Sequence, residues 1–182
     1  MRALHYFLLT QFLLIISLGC NRQMKDKVSG MIGQTIVLEE FLPSFLDGKV
    51  RIYSTQKEVQ KTTYILFSYL DEKECQSCLV KMCGEIQAFC EKEFGDKIQC
   101  LFLVPYLEEG FGDIKRETSI CKGLQVCIDQ NDSFWKLNKF IPKEIQYRTL
   151  LLNNQMEILA VGNPYGNDSL LKLYKEIIDD DE

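Results

Sequence analysis

The stretch TYILFSYLDEKECQSCLVKM, residues 63–82, sets two different periodicities side by side. Thr63 to Leu70 is a nearly continuous apolar, β-prone run, as expected of a central strand covered on both faces. The charged turn Asp71-Glu72-Lys73-Glu74 follows. From about Cys75 the apolar residues Leu79, Met82, Ile86, Phe89 and Phe94 recur on or near one helical stripe, which Gly95 closes. Cys75 and Cys78, separated only by Gln76 and Ser77, therefore open a helix directly after a buried strand.

Working outward, Lys97–Val104 (KIQCLFLV) predicts a second buried strand and Leu107–Ile120 a helix weakened at its start by Gly110 and Gly112. Gln125–Ile128 predicts a third, shorter strand. Asp132 or Ser133 can cap a helix over SFWKLNKF that Pro142 ends. Residues 148–162 predict a hairpin around Asn153-Asn154-Gln155, and Ser169–Ile178 a last helix carrying Leu170, Leu171, Tyr174, Ile177 and Ile178. Upstream, Thr35–Leu38 and Val50–Tyr53 predict short strands around a loop with Pro43 and Gly48. Strands alternating with helices need right-handed crossovers and a parallel central portion, to which the hairpin adds antiparallel strands. The expected fold class is α/β, one domain with a mixed central sheet and helices on both faces.

Residues 1–19 read as a signal peptide: Arg2, an apolar run from Tyr6 to Leu18, then Gly19-Cys20. Thr10 and Gln11 interrupt the run and NRQMKDK follows Cys20 at once, which argues against a spanning helix. Leu18-Gly19-Cys20 resembles the lipobox of bacterial lipoproteins, which implies that Cys20 is the lipidated first residue of the mature chain. The alternative is an ordinary cleaved secretory signal with a free Cys20. Either way the mature domain is expected outside the cytoplasm, with residues 20–34 as a polar tether and 35–182 as the folded domain.

The formal net charge is −5 and no lysine or arginine stripe forms, so nucleic acid is not an expected partner. The single histidine, His5, lies in the signal. A mature chain without imidazole excludes Ser-His-Asp and Cys-His hydrolases and His-ligated zinc enzymes. The acidic end Asp179-Asp180-Asp181-Glu182 reads as a solvated tail.

The order of elements, with Cys75-Gln76-Ser77-Cys78 opening a helix after a β-prone run and a terminal hairpin and helix behind it, resembles the thioredoxin-like fold. The segments CQSCLVKM, VCIDQNDSFWKLNKF and YRTLLLNNQMEILAVGNP resemble the thioredoxin-like, TlpA-type lipoproteins of gram-negative anaerobes. The resemblance implies a thiol-disulfide oxidoreductase of the cell envelope, facing the periplasm and anchored to the outer rather than the inner membrane. Its partners would be a protein disulfide or dithiol and an envelope electron donor, with no cofactor.

A cysteine at a helix N-terminus meets unsatisfied N–H groups and the positive end of the dipole, which favour thiolate. Cys75 is then the nucleophile and Cys78 the resolving thiol of a Cys75–Cys78 redox disulfide. Asp71, Glu72 and Glu74 crowd Cys75 and oppose its thiolate, which leans the couple toward reduction of substrates. Two positions depart from the family pattern. Arg148 and Thr149 stand where a cis-proline loop is usual, and Tyr69 stands where a buried carboxylate usually lies six residues before the first cysteine. These departures motivate the alternative of a non-catalytic module that binds a partner or solute, its CxxC structural or vestigial.

Of the other thiols, Cys83, Cys90 and Cys100 read as small core hydrophobes. The spacing of Cys121 and Cys127 permits a local disulfide. A zinc site lacks a second close cysteine pair, so no metal is expected. A thiol peroxidase lacks its P-x-x-x-T-x-x-C context.

Overall fold

The apolar run around Phe67 becomes an interior strand of a seven-stranded mixed sheet in the computed structural model, which describes residues 22–59, 63–70, 76–106 and 111–180. The strands are β1 (Phe41–Leu46), β2 (Lys49–Ser54), β3 (Tyr64–Tyr69), β4 (Ile98–Pro105), β5 (Gln125–Asp129), β6 (Thr149–Asn153) and β7 (Ile158–Val161). Their order is β2-β1-β5-β4-β3-β6-β7. β3, β4 and β5 are parallel, while β6 pairs antiparallel with β3, β7 with β6, β1 with β5 and β2 with β1.

Because side chains alternate across a strand, β3 feeds two cores at once. Tyr64 and Leu66 enter one; Ile65, Phe67 and Tyr69 enter the other. The first core is roofed by α3 (Gln76–Phe94), α4 (Phe111–Ile120) and α6 (Asp168–Asp179), through residues such as Leu79, Ile86, Ile114 and Tyr174. The second is roofed by Met31 of α1 (residues 22–31), Val59 of α2 (Thr55–Val59) and Phe134 of α5 (Ser133–Leu137). Each fully buried Leu or Phe contributes roughly 1.5–3 kcal/mol. A strand that supplies both cores is hard to replace.

The β1–β2 turn is Asp47-Gly48, with φ of 51° and 70°, the pair of left-handed residues that a two-residue hairpin favours. A Cβ on Gly48 would also stand 2.6 Å from Ser119 Cβ on α4. At the end of α3, Gly95 has φ 63° and open space around it, so backbone conformation alone selects glycine there.

Four sequence expectations need correction. Residues 22–31, read as an aperiodic tether, are helical; Met31 is buried, Val28 packs beside it, and Lys27 pairs with Glu144 at 2.5 Å. Only two apolar residues one turn apart touch the core, too short a stripe to show in the pattern. Thr35–Leu38 is not a strand of the sheet. Thr35 makes one bridge to Glu157, and Val37 instead exchanges bonds with the buried Asn138 side chain, N–H to Oδ1 at 2.7 Å and Nδ2–H to O at 2.8 Å.

The first strand is Phe41–Leu46, with Pro43 inside it. Within β1 only Ser44–Leu46 pair with β5, so Pro43 lies beyond that ladder, where its missing N–H is tolerated. Lastly, α5 stops at Leu137 rather than near Pro142, because Asn138 Nδ2 donates back to Phe134 O at 2.8 Å. Neither expected cap acts through its side chain on α5: Asp132 has φ 52°, and Asp129 takes that place.

Candidate redox site at the start of α3

Cys75 and Cys20 lie outside the described residues, so the site is built from Cys78 outward. Cys78 stands in the first turn of α3 and is exposed, whereas its neighbours Leu79 and Val80 are buried against the sheet. The helix thus begins with its thiol in solvent and its next two residues anchored. First-turn N–H groups lack intrahelical partners and carry the positive end of the dipole, which stabilises negative charge on a thiol placed there.

Beside this turn lies a small cleft of ≈140 Å³. Ser68 and Tyr69 from the end of β3, Leu79 and Met82 from α3, and Arg148 and Thr149 from the start of β6 all line it. The pairing of β3 with β6 is what brings them together: Ser68 sits opposite Thr149, and their hydroxyls hydrogen-bond at 3.0 Å. Tyr69 N–H donates to Arg148 O at 2.9 Å. The Arg148-Thr149 segment therefore borders the first half of α3. Its guanidinium donates to Lys143 O through Nε at 2.8 Å and lies 5.9 Å over the Trp135 ring, with Lys143 Nζ 5.8 Å from the same ring.

Sequence reasoning missed the principal buried acid of this region. Asp129, 1% exposed at the end of β5, accepts from Ser133 N–H at 2.8 Å, Ser133 Oγ at 2.6 Å and Phe134 N–H at 3.3 Å. Tyr69 Oη donates to its other oxygen at 3.3 Å. Burial, and then the carboxylate of Asp129, push the Tyr69 phenol well above its ordinary range, so the tyrosine stays a donor. Tyr69 also stacks on Phe134 at 5.1 Å and meets Trp135 edge-on at 4.8 Å. A carboxylate does occur near the thiol helix, but it is held on a different strand and reached through Tyr69.

The remaining thiols divide between the faces of the sheet. Cys83 and Cys90 are buried in the first core and Cys127 in the second; burial pushes the thiols of Cys83 and Cys127 far up. Cys121 packs on the first core, where a Cβ added to Gly84 would stand 3.3 Å from its Sγ. Cys121 and Cys127 are both free thiols on opposite faces, so the local disulfide that their spacing permits is not formed. Among the described residues no group of three or more His, Cys, Asp and Glu is placed to hold a metal, and no helix is long and apolar enough to cross a membrane.

No protein-family model matches the sequence, and no curated protein matches it either. Solved structures do. The thioredoxin domain of a thiol-disulfide oxidoreductase from Bacteroides vulgatus is similar with a TM-score of 0.52 at 14% identity, over 81% of this chain and 97% of that one. A thioredoxin-like protein from Porphyromonas gingivalis gives 0.51 at 15%, over 84% and 96%, and AhpC of Enterococcus faecalis 0.51 at 14%, over 84% and 96%. At such identities the likeness is one of architecture, and it agrees with the parallel β3-β4-β5 core, the antiparallel β6-β7 hairpin and the long helix α3 between β3 and β4. The chain has a thioredoxin-like fold.

Proposed function

We propose that this protein is a cell-envelope thiol-disulfide oxidoreductase, working as a reductase through Cys75 and Cys78 and held to the outer membrane by a lipid on Cys20. The observation that carries the reading is the exposed Cys78 in the first turn of a helix that follows a buried interior strand, with a cleft beside it. In the reaction the Cys75 thiolate attacks a substrate disulfide and expels one substrate thiolate. Cys78 then attacks the Cys75 sulfur of the mixed disulfide, expels the second and leaves Cys75–Cys78 oxidised. An envelope electron donor restores the dithiol. Asp71, Glu72 and Glu74 raise the energy of the Cys75 thiolate, which lowers the oxidising power of the couple.

The test uses the chain from residue 20 onward with Cys20→Ser. Cys75→Ser is expected to abolish reduction of a protein disulfide, and Cys78→Ser to accumulate a mixed disulfide on Cys75. Titration against glutathione or dithiothreitol should give one reversible two-electron couple for the pair, on the reducing side of the oxidising envelope enzymes. Disulfide reduction that survives Cys75→Ser sinks the proposal. A specific observation favours the competing binding module: the guanidinium at the usual proline place is engaged by Lys143 O and Trp135. That reading takes over if the Cys75/Cys78 pair exchanges with no disulfide.

A further inference from the structure

Toward the other end of α3 the fold brings a second pair of thiols together. Cys90 lies twelve residues beyond Cys78 on the same helix, about 18 Å along its axis. Cys100 is on β4, below it. Cys90 sits in the first core and Cys100 packs against the same cluster. Both also line a cleft of ≈290 Å³ between the end of α3 and the sheet. Cys90 is 1% exposed and Cys100 is half-buried, so a reagent entering the cleft meets Cys100 first. The charged residues lining it, Glu91 and Asp96, are both acidic, with the side-chain amides of Gln87, Gln99 and Gln125 around them.

We propose that Cys90 and Cys100 form a second dithiol-disulfide couple, separate from the Cys75/Cys78 centre, whose oxidant is a small disulfide bearing amino groups that enters this cleft. Cys100 loses its proton to solvent and its thiolate attacks one sulfur of the small disulfide; a sulfur-sulfur bond breaks and one small thiolate leaves and takes up a proton. Cys90, deprotonated in turn, attacks the Cys100 sulfur, and the second small thiol leaves in the same way. Two protein thiols are oxidised to one disulfide while one small disulfide is reduced to two thiols. The negative lining attracts an ammonium group and repels a carboxylate. The distance from Cys78 keeps the two couples from exchanging directly. A hydrogen bond that the Cys100 thiol donates to Cys90, and then burial, hold Cys100 well above its ordinary value, so its thiolate is scarce, the exchange is slow and the dithiol survives brief encounters with oxidant.

The experiment exposes the reduced, unsubstituted mature chain to cystamine or, in parallel, to 3,3′-dithiodipropionate of similar size. It is then quenched in acid, and every thiol is alkylated under denaturing conditions and mapped by peptide mass. The expected result is a peptide pair joined through Cys90 and Cys100, short of two hydrogens and carrying no retained adduct, formed about tenfold faster with cystamine. Glu91→Gln should erase most of that preference, and Cys90→Ala should halt the reaction at a mixed disulfide of Cys100 with one cysteamine, the other cysteamine having left. Two results overturn the proposal: Cys90 and Cys100 both recovered as alkylated thiols after full oxidation of Cys75 and Cys78, or a stable adduct on either in the unsubstituted chain. Since mapping follows each pair by itself, failure of the second couple is distinguishable from failure of the first.

Discussion

Asp129 shows how much one side chain can organise. It fixes the start of α5 through Ser133 and Phe134, and it holds Tyr69 at the end of β3. Asp129→Asn replaces an acceptor oxygen by a donor facing other donors, and it should cost about 1–3 kcal/mol in urea unfolding. Tyr53 is the opposite case. Its hydroxyl is buried without a hydrogen-bond partner among the described residues, so Tyr53→Phe keeps the packing, removes an unsatisfied group and should stabilise the fold by about 1 kcal/mol. A loss of stability in Tyr53→Phe would mean that the hydroxyl has a partner. Neither role is legible in the sequence. A carboxylate ending an apolar strand reads as the onset of a loop, and its contact with Tyr69 spans 60 residues.

At the scale of elements, the legible pieces were those with a long local pattern. The six buried residues of β3 and the stripe of α3 announce a strand and a helix by themselves, and with them the place of Cys78. Short pieces depend on distant partners instead. α1 is positioned by Val28, Met31 and the Lys27–Glu144 pair, and the 35–38 segment by Asn138. The Lys27 hydrogen bond, then the carboxyl's own backbone bond, hold Glu144 below its ordinary 4.5, and the same pair holds Lys27 above 10.5.

The signs set a window. The contribution of Glu144 is present above 4.5 and lost as pH falls through its lowered value; that of Lys27 is present below 10.5 and lost as pH rises through its raised value. Amide exchange in residues 28–32 should therefore be flat with pH across that interval, after correction for intrinsic rates, and accelerate in acid. Glu144→Gln should remove the acid step; an unchanged step would assign it to another group. In the β1–β2 hairpin, Gly48→Ala meets both a left-handed backbone and Ser119, and it should destabilise by about 1–3 kcal/mol, more than Gly95→Ala where only φ is at issue.

At the scale of the molecule, both cores share one sheet, so neither can melt alone. Far-ultraviolet dichroism should follow the helices on both faces and the fluorescence of the single Trp135 should follow the second core, with coincident thermal midpoints. Separated midpoints would show that the faces unfold independently. The same sharing explains what was readable at the site. β3 and β6 are apolar strands that pair along nearly their whole length, so the juxtaposition of Arg148 and Thr149 with the start of α3 follows from topology. The cation-over-indole arrangement of Trp135, Lys143 and Arg148 does not, because it joins a residue of the short helix α5 to two side chains from the connection before β6.

Helix α1 gives the proposed membrane attachment a mechanical character. Its ten residues make a rod about 15 Å long, docked at its far end by Met31. A lipid on Cys20 would then hold the domain by a short strut rather than a slack leash, and a strut restricts both height and tilt above a bilayer. Partners presented at the wrong height would be out of range of α3 regardless of their chemistry. Lengthening the strut by inserted helical turns would tune which partners are reached without touching a single thiol.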